Sequence, residues 1–150
     1  MSSDVITRLY TAFQSLDGDA MAACYTPDAT FSDPVFTDLR GSQVGNMWRM
    51  LCSSAKDFSV NFDSVTDHSA HWVATYTFSG TGRRVVNDIQ ASFVLRDGLI
   101  SAHRDSFGLW AWSRQALGPA GLLLGWSPII KNKIRGQAMA GLRKYEQAHP

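Results

Sequence analysis

The sequence of 150 residues is poor in cysteine, in net charge and in long apolar runs, and each shortage excludes a class of protein. Only two cysteines occur, Cys24 and Cys52, and both lie among apolar residues in helical patterns, which indicates buried thiols rather than a disulfide scaffold. The net charge of +1 gives the whole chain no tendency to bind nucleic acid. The longest strongly apolar run, residues 118–126, is too short to cross a bilayer.

The sequence also lacks the signals of targeting and of metal binding. No basic N-terminal region is followed by an apolar run, so no signal peptide is expected. His68 and His71 flank a predicted turn without a neighbouring Cys or Glu, so no metal site and no cofactor is predicted. There is no repeat, linker or low-complexity segment. These absences predict one globular domain over residues 1–150, located in the reducing cytoplasm.

Aromatic residues, by contrast, are abundant. Five tryptophans and eight phenylalanines indicate a deep apolar interior, with the prospect of a ligand cavity. Apolar residues recur at helical spacing over residues 5–16, and a second, short helix is expected from Asp17 through Tyr25. A strand follows within residues 28–36, and a third helix starts at Gly41. After Asp57 the period changes to two, which predicts four strands joined by short turns.

This order predicts an α+β domain in which the helices pack on one face of a strongly curved antiparallel sheet. The concave side of such a sheet forms a pocket. Residues 108–150 are predicted to add a short helix, a glycine-rich apolar loop and a basic helix that Ser127 caps, with Pro128 at its first position. We expect the last helix to pack on the domain or on a dimer partner. Two alternatives, a lid over the cavity and contact with an anionic membrane, are not favoured.

The segment "YTAFQSLDGDAMAACYTPDATFSDPVF" and the hairpin "VLRDGLISAHRDSF" resemble the NTF2-like superfamily, in its ketosteroid isomerase-like and SnoaL-like branches. The resemblance extends from about residue 5 to about residue 107. It implies a cone-shaped fold, a homodimer formed through the sheet, and a small hydrophobic ligand in the cone. It leaves the activity open, because isomerases, cyclases, epoxide hydrolases and non-catalytic binders share this fold.

The resemblance assigns a general base to Asp33, in the "DPV" that follows the first strand. The two oxyanion donors of ketosteroid isomerases are not matched: their tyrosine aligns with Leu9, one residue from Tyr10, and their late-strand aspartate aligns near Ala91. "HRDSF" is similar to the last strand of SnoaL-type cyclases and epoxide hydrolases. In this strand His103 and Asp105 share one face, while Arg104 points away. The Asp–Arg–Asp set that epoxide hydrolases use around the nucleophilic water is therefore only partly present.

Each candidate site residue also has a structural interpretation. Asp33 either lies in an apolar cavity, where burial raises its pKa, or caps a turn before Pro34. His103 and Asp105 form a base with its orienting partner or a proton relay to Asp33, or else His103 is a hydrogen-bonded histidine without catalytic role or a dimer contact.

The predicted function is a cofactor-independent isomerase, cyclase or hydrolase that acts on a small hydrophobic substrate by general acid/base catalysis. The alternative is a module of the same fold that only binds a ligand or assembles. In either case no nucleic acid is expected as a partner. The predicted catalytic residues are Asp33, His103 and Asp105. The predicted substrate-binding residues are Tyr10, Phe13, Phe31, Phe36, Trp48, Tyr76, Phe78 and Trp110.

Overall fold

The structure, a computed structural model, describes residues 3–119 and 127–149. Five helices and six strands occur in these ranges. The helices are α1 (Ser3–Gln14), α2 (Gly18–Ala22), α3 (Ser42–Ser54), α4 (Leu109–Leu117) and α5 (Pro128–Ala148). The strands are β1 (Tyr25–Ser32), β2 (Leu39–Arg40), β3 (Ser59–Asp63), β4 (Ser69–Phe78), β5 (Arg83–Arg96) and β6 (Leu99–Ser106).

The six strands form one sheet in the order β2-β1-β6-β5-β4-β3. All pairs are antiparallel except β1 and β6, which run parallel. The turn between β5 and β6 is the predicted hairpin, with Asp97 at φ 54° and Gly98 at φ 78°. Along β5 buried and exposed residues alternate from Val85 to Val94, so one face of the sheet meets the core and the other faces outward.

The helices α1 and α3 cover the inner face of the sheet, and their apolar sides supply much of the core. This confirms the α+β fold with the helices gathered on one face. Cys24 and Cys52 are free thiols, as predicted. Within the described ranges, no helix is both long enough and apolar enough to cross a membrane.

The C-terminal helices pack on the same unit. Gln115 of α4 accepts a hydrogen bond from the Val86 amide (2.8 Å) and donates one to the Val86 carbonyl (3.0 Å), on a part of β5 that β6 does not pair with. Ser127 caps α5 by accepting a hydrogen bond from the Ile129 amide, and Leu142 is fully buried in the main core. The predicted cap of α5 is confirmed and the helix packs on the domain, whereas most of the predicted glycine-rich loop lies outside the described residues.

Two features differ from the sequence analysis. The second helix ends at Ala22, and Tyr25 begins strand β1, where it pairs with Ile100. The second difference is that the pairing of β1 with β6 skips: Tyr25 lies opposite Ile100 but Thr30 lies opposite Ala102. Such an irregularity breaks the period-two pattern from which strand faces are read.

Candidate functional site

The side chain of Asp33 lies just past the end of β1, in a tight turn. Its Oδ1 accepts hydrogen bonds from the amides of Val35 (2.7 Å) and Phe36 (2.5 Å), and its own amide donates to the Phe36 carbonyl (2.9 Å). Among the described residues, the second carboxyl oxygen, Oδ2, has no hydrogen-bond partner. The predicted turn-capping role of Asp33 is therefore present.

The same carboxyl group is also electrostatically perturbed. Burial raises the pKa of Asp33 to about 7, and the negative charge of Asp105 adds to this effect. The hydrogen bonds from the Phe36 and Val35 amides act in the opposite direction, because they stabilise the carboxylate, but they do not outweigh burial. A carboxyl group with a pKa near 7 and one free oxygen can exchange a proton at neutral pH. The two interpretations of Asp33 are thus compatible.

His103 and Asp105 lie on the inner face of the sheet, where they form a buried pair. The Nε2 atom of His103 is 2.7 Å from Oδ1 of Asp105, and the side chains are 0% and 2% exposed. His103 lies directly opposite Phe31 of β1, and both side chains are buried on the inner face of the sheet. Asp33 follows Phe31 by two residues in the sequence. Arg104 is exposed on the outer face, as predicted, and the Asp–Arg–Asp set of epoxide hydrolases is not assembled through it.

Tyr25 extends this pair into a chain of hydrogen bonds across four elements, β1, β6, α3 and β4. Its hydroxyl lies 2.7 Å from Nδ1 of His103 and accepts a hydrogen bond from Nε1 of Trp48 at 2.9 Å. Nε1 of Trp72 completes the other end, donating to Oδ1 of Asp105 at 3.4 Å.

The donor and acceptor roles in this chain follow from Trp48, because an indole nitrogen only donates. With the Trp48 bond accepted by its oxygen, the Tyr25 hydroxyl has its proton available for Nδ1 of His103. Nδ1 is then the acceptor, and the hydrogen on Nε2 is donated to Asp105. The arrangement corresponds to the Nε2–H tautomer of His103. Tyr25 was not identified from the sequence, since the predicted helix included it and the irregular pairing after it hides its strand face.

Tyr10 lies close by without a hydrogen bond. Its ring packs between Phe62 and Trp72, with centroids 5.5 and 5.6 Å away, and its hydroxyl is buried with no partner among the described residues. Burial raises the pKa of Tyr10 well above its usual value, and the charge of Asp105 adds to this. A buried hydroxyl without a partner costs about 1–3 kcal/mol. It is the polar group in the interior that is best placed to bind an incoming acceptor.

Asp105 lies next to the position, near Ala91, at which the resemblance expects a late-strand aspartate. The two residues are directly opposite each other on β5 and β6, and both are buried on the inner face. The interior therefore has a carboxyl group one strand away from the position at which the resemblance expects one.

Most of the predicted substrate-binding residues lie together in the interior, but they fill it. Aromatic rings contact one another with centroid separations such as 5.2 Å for Phe13 and Trp48 and 5.5 Å for Phe31 and Trp48. Phe36 is buried beside them, while Tyr76 and Phe78 are half-buried near α4. Trp110 is 39% exposed on the outer side of α4, and its neighbour Trp112 instead faces inward, donating a hydrogen bond to the Tyr76 hydroxyl at 2.7 Å.

Two clefts are open on the surface of the described residues. One, of about 570 Å³, lies between α1, α2 and the start of β6, and the other, of about 590 Å³, lies on the outer face of β1, β5 and β6. Neither is lined by Asp33 or Asp105. The described residues contain no cluster of three or more His, Cys, Asp or Glu side chains that could hold a metal ion.

With this geometry established, the comparisons decide the family. The model of the SnoaL-like domain matches residues 6–103, which is more than half of the chain. The chain belongs to the SnoaL-like family. Among curated proteins, none matches the sequence significantly.

Solved structures show the same fold at low sequence identity. A protein assigned as a polyketide cyclase from Silicibacter sp. is 22% identical, with a TM-score of 0.63 over 77% of this chain and 94% of its own. An epoxide hydrolase of the LEH-like type from M. tuberculosis is 19% identical, with a TM-score of 0.62 over 86% and 94%. A protein of ketosteroid isomerase-like fold from Catenulispora acidiphila, bound to trimethylamine, is 16% identical, with a TM-score of 0.65 over 77% and 94%. These similarities confirm the NTF2-like fold of this SnoaL-like protein.

Proposed function

We propose that this SnoaL-like protein is a cofactor-independent enzyme that moves a proton on a small hydrophobic substrate, as an isomerase, cyclase or hydrolase. The observation that carries the proposal is Asp33, a half-buried carboxyl group with a pKa of about 7 and one oxygen free of hydrogen bonds. The solved structures of similar fold include proteins named as cyclases and epoxide hydrolases, which agrees with this class of chemistry.

In the proposed reaction, Asp33 is the general base. The amides of Val35 and Phe36 hold Oδ1 in place, so Oδ2 is the oxygen that accepts the proton. For a ketone, the carboxylate removes a proton from the carbon next to the carbonyl, and the electron pair of that C–H bond moves to the carbonyl oxygen. The protonated Asp33 then returns the proton to carbon as the electron pair moves back from the oxygen and restores the carbonyl group; with a conjugated C=C bond this is a different carbon, and the double bond shifts. For an epoxide, the same oxygen removes a proton from a water molecule that attacks a ring carbon, the ring C–O bond breaks, and the resulting alkoxide takes the proton back from Asp33 to give the diol.

Three buried residues influence the proton transfer by Asp33 from the interior: His103, Asp105 and Tyr25. The charge of Asp105 raises the pKa of Asp33, which makes the carboxylate a stronger base. Since the His103 side chain has no exposed surface, we propose that the pair acts through this field and through the hydrogen-bond chain to Tyr25. The unpartnered hydroxyl of Tyr10 is the proposed donor to a polar atom of the substrate.

A second candidate function has its own supporting observation. The aromatic rings between α1, α3 and the sheet are in mutual contact, and neither surface cleft reaches Asp33. A non-catalytic member of the fold, which binds a ligand at the surface or serves in assembly, needs no opening at Asp33. An enzyme requires the rings or the C-terminal helices to move aside when substrate enters.

The proposed partner in assembly is a second copy of the chain, bound through the outer face of the sheet. Val86 and Val94 are exposed on that face and offer apolar surface to a partner. Analytical ultracentrifugation of the protein and of the V86K/V94K variant tests this. A dimer that the variant loses supports the proposal, and a monomer over the whole concentration range contradicts it.

Proton transfer is tested with a panel of hydrophobic ketones and epoxides. Ketones are incubated with the protein in heavy water and followed by NMR for deuterium next to the carbonyl, and epoxides are assayed for diols. D33N should abolish whichever activity is found, because an amide cannot act as a base. D38N is the matched control, since Asp38 lies on the same loop but is exposed. Equal activity in D33N and D38N would contradict the role of Asp33 as the base. Ligand binding without any turnover would favour the binding module.

A further inference from the structure

The charges of this protein are separated along the chain in a way that the proposed reaction does not use. Residues 106–145 contain six basic and no acidic side chains, whereas the rest of the chain contains eight basic and thirteen acidic ones. The basic residues of this segment are Arg114, Lys131, Lys133, Arg135, Arg143 and Lys144. Five of the six belong to α5 and one to α4, so the C-terminal helices carry a local positive charge on a nearly neutral protein.

The outer side of α5 combines this charge with exposed apolar surface. Ile129 is 77% exposed, the highest value among the exposed large apolar side chains of the described residues. Lys133 follows it one helical turn later and is also exposed, and the exposed Lys144 lies on the same side of the helix. Lys131, two residues after Ile129, lies on the opposite side and is half-buried. The opposite side of the helix is anchored, because Leu142 is buried in the core and Nε of Arg135 donates to the Pro34 carbonyl at 2.8 Å.

The outer side of α4 repeats the combination. Trp110 is 39% exposed, and the guanidinium group of Arg114, one turn further along the helix, lies 4.8 Å from the centre of its ring. The two helices are neighbours, since Ile134 of α5 packs against the apolar cluster that includes Leu109, Trp112 and Ala116 of α4. A tryptophan beside an arginine suits the boundary between water and lipid headgroups, where one side of the ring is apolar and the other polar.

We propose that the outer surface of α4 and α5, carrying Trp110, Arg114, Ile129, Lys133 and Lys144, docks on an anionic lipid bilayer. The basic side chains provide attraction to the headgroups, and Ile129 and Trp110 enter the interface. The charge complementarity selects an anionic surface. The exposed isoleucine selects lipid over nucleic acid, because a phosphate backbone offers no apolar partner for it. This inference does not depend on the proposed reaction.

The experiment is flotation of the whole protein with vesicles of phosphatidylcholine alone or mixed with phosphatidylglycerol. Binding to the mixed vesicles, weakened by added salt, is expected. The K133E/K144E variant should bind at least about 30-fold more weakly, since each basic residue near the surface contributes a roughly fivefold gain in affinity. The R40E/K56E variant is the matched control, because it changes the net charge equally at exposed positions away from α4 and α5 and should bind like the original protein.

The variant I129S tests the apolar contribution. It should lower binding by about tenfold and remove the part that persists at high salt. Urea denaturation of each variant shows whether folding is retained, which is expected because all substituted side chains lie at or near the surface. Equal binding to both kinds of vesicle overturns the proposal. So does K133E/K144E binding like R40E/K56E, or retention on double-stranded DNA without binding to vesicles.

Discussion

The hydroxyl of Tyr25 lies 2.7 Å from Nδ1 of His103, a hydrogen bond that joins β1 to the neighbouring strand β6 in the interior of the protein. Trp48 donates to the same hydroxyl, Asp105 accepts from the far side of the imidazole, and Trp72 donates to Asp105, so five side chains share one chain of hydrogen bonds. Removing Tyr25 or Asp105 leaves two buried polar groups without their partner, and this gives the site its clearest tests.

The variant Y25F should be destabilised by about 1–3 kcal/mol, because it leaves Nδ1 of His103 and Nε1 of Trp48 without their partner. Urea denaturation measures this loss. Nitrogen NMR of the imidazole should show the Nε2–H tautomer of His103 in the original protein and a change in the Nδ1 signal in Y25F.

The matched control is Y10F, which removes a hydroxyl from another buried tyrosine. Since the Tyr10 hydroxyl has no hydrogen-bond partner among the described residues, its loss should leave the free energy of unfolding unchanged or increase it by up to about 1 kcal/mol. Equal destabilisation of Y10F and Y25F would contradict the assignment of the hydrogen-bond chain.

The pair of His103 and Asp105 should show strong coupling in a double-mutant cycle. H103L removes the closer of the two hydrogen-bond partners of a buried carboxyl group and should cost about 3–5 kcal/mol, whereas H103L/D105L removes both polar groups and should cost less than the sum of the single variants. Urea denaturation of the three variants gives the coupling energy. Additive effects would mean that the two side chains do not interact in the folded protein.

The raised pKa of Asp33 makes stability depend on pH. The folded protein holds the carboxyl proton of Asp33 up to about pH 7, whereas an unfolded aspartate loses it near pH 3.9. The contribution of this group to the free energy of unfolding is therefore complete below about pH 3.9 and is lost as the pH rises to about 7. D33N keeps one oxygen for the Val35 and Phe36 amides but cannot ionise.

The free energy of unfolding of D33N, relative to that of the original protein, should therefore increase by about 2–4 kcal/mol between pH 4 and pH 8. The lower part of this range allows for solvent screening, because Asp33 is half-buried. Chemical denaturation of both proteins at a series of pH values measures the difference. A difference that stays constant over this range would show that Asp33 has an ordinary pKa.

The sequence was sufficient for the fold and for the helix caps. Period-two alternation identified β5, and Ser127 with Pro128 identified the start of α5, because these patterns reflect local backbone and solvent preferences. The face occupied by His103 could not be predicted, since the pairing of β5 with β6 shifts between Val94 and Leu95 and interrupts the alternation.

Other parts of the site depend on packing between distant segments. Tyr25 was assigned to a helix, and only its pairing with Ile100 turns its hydroxyl toward His103. Trp110 and Trp112 are two residues apart on one helix, and no local pattern shows which of them faces Tyr76. Likewise the aromatic residues were correctly expected inside, but ring contacts, rather than composition, decide how much space they leave.

The most direct test of the proposed function is the pKa of Asp33, measured by carbon NMR of the carboxyl group in labelled protein, with D33N to assign the signal. A value near 7 is predicted, because burial and the charge of Asp105 outweigh the two amide hydrogen bonds. A value at or below the free-aspartate figure of about 3.9 would contradict it. Asp33 would then be a turn-capping carboxylate, and the protein would be better explained as a binding module.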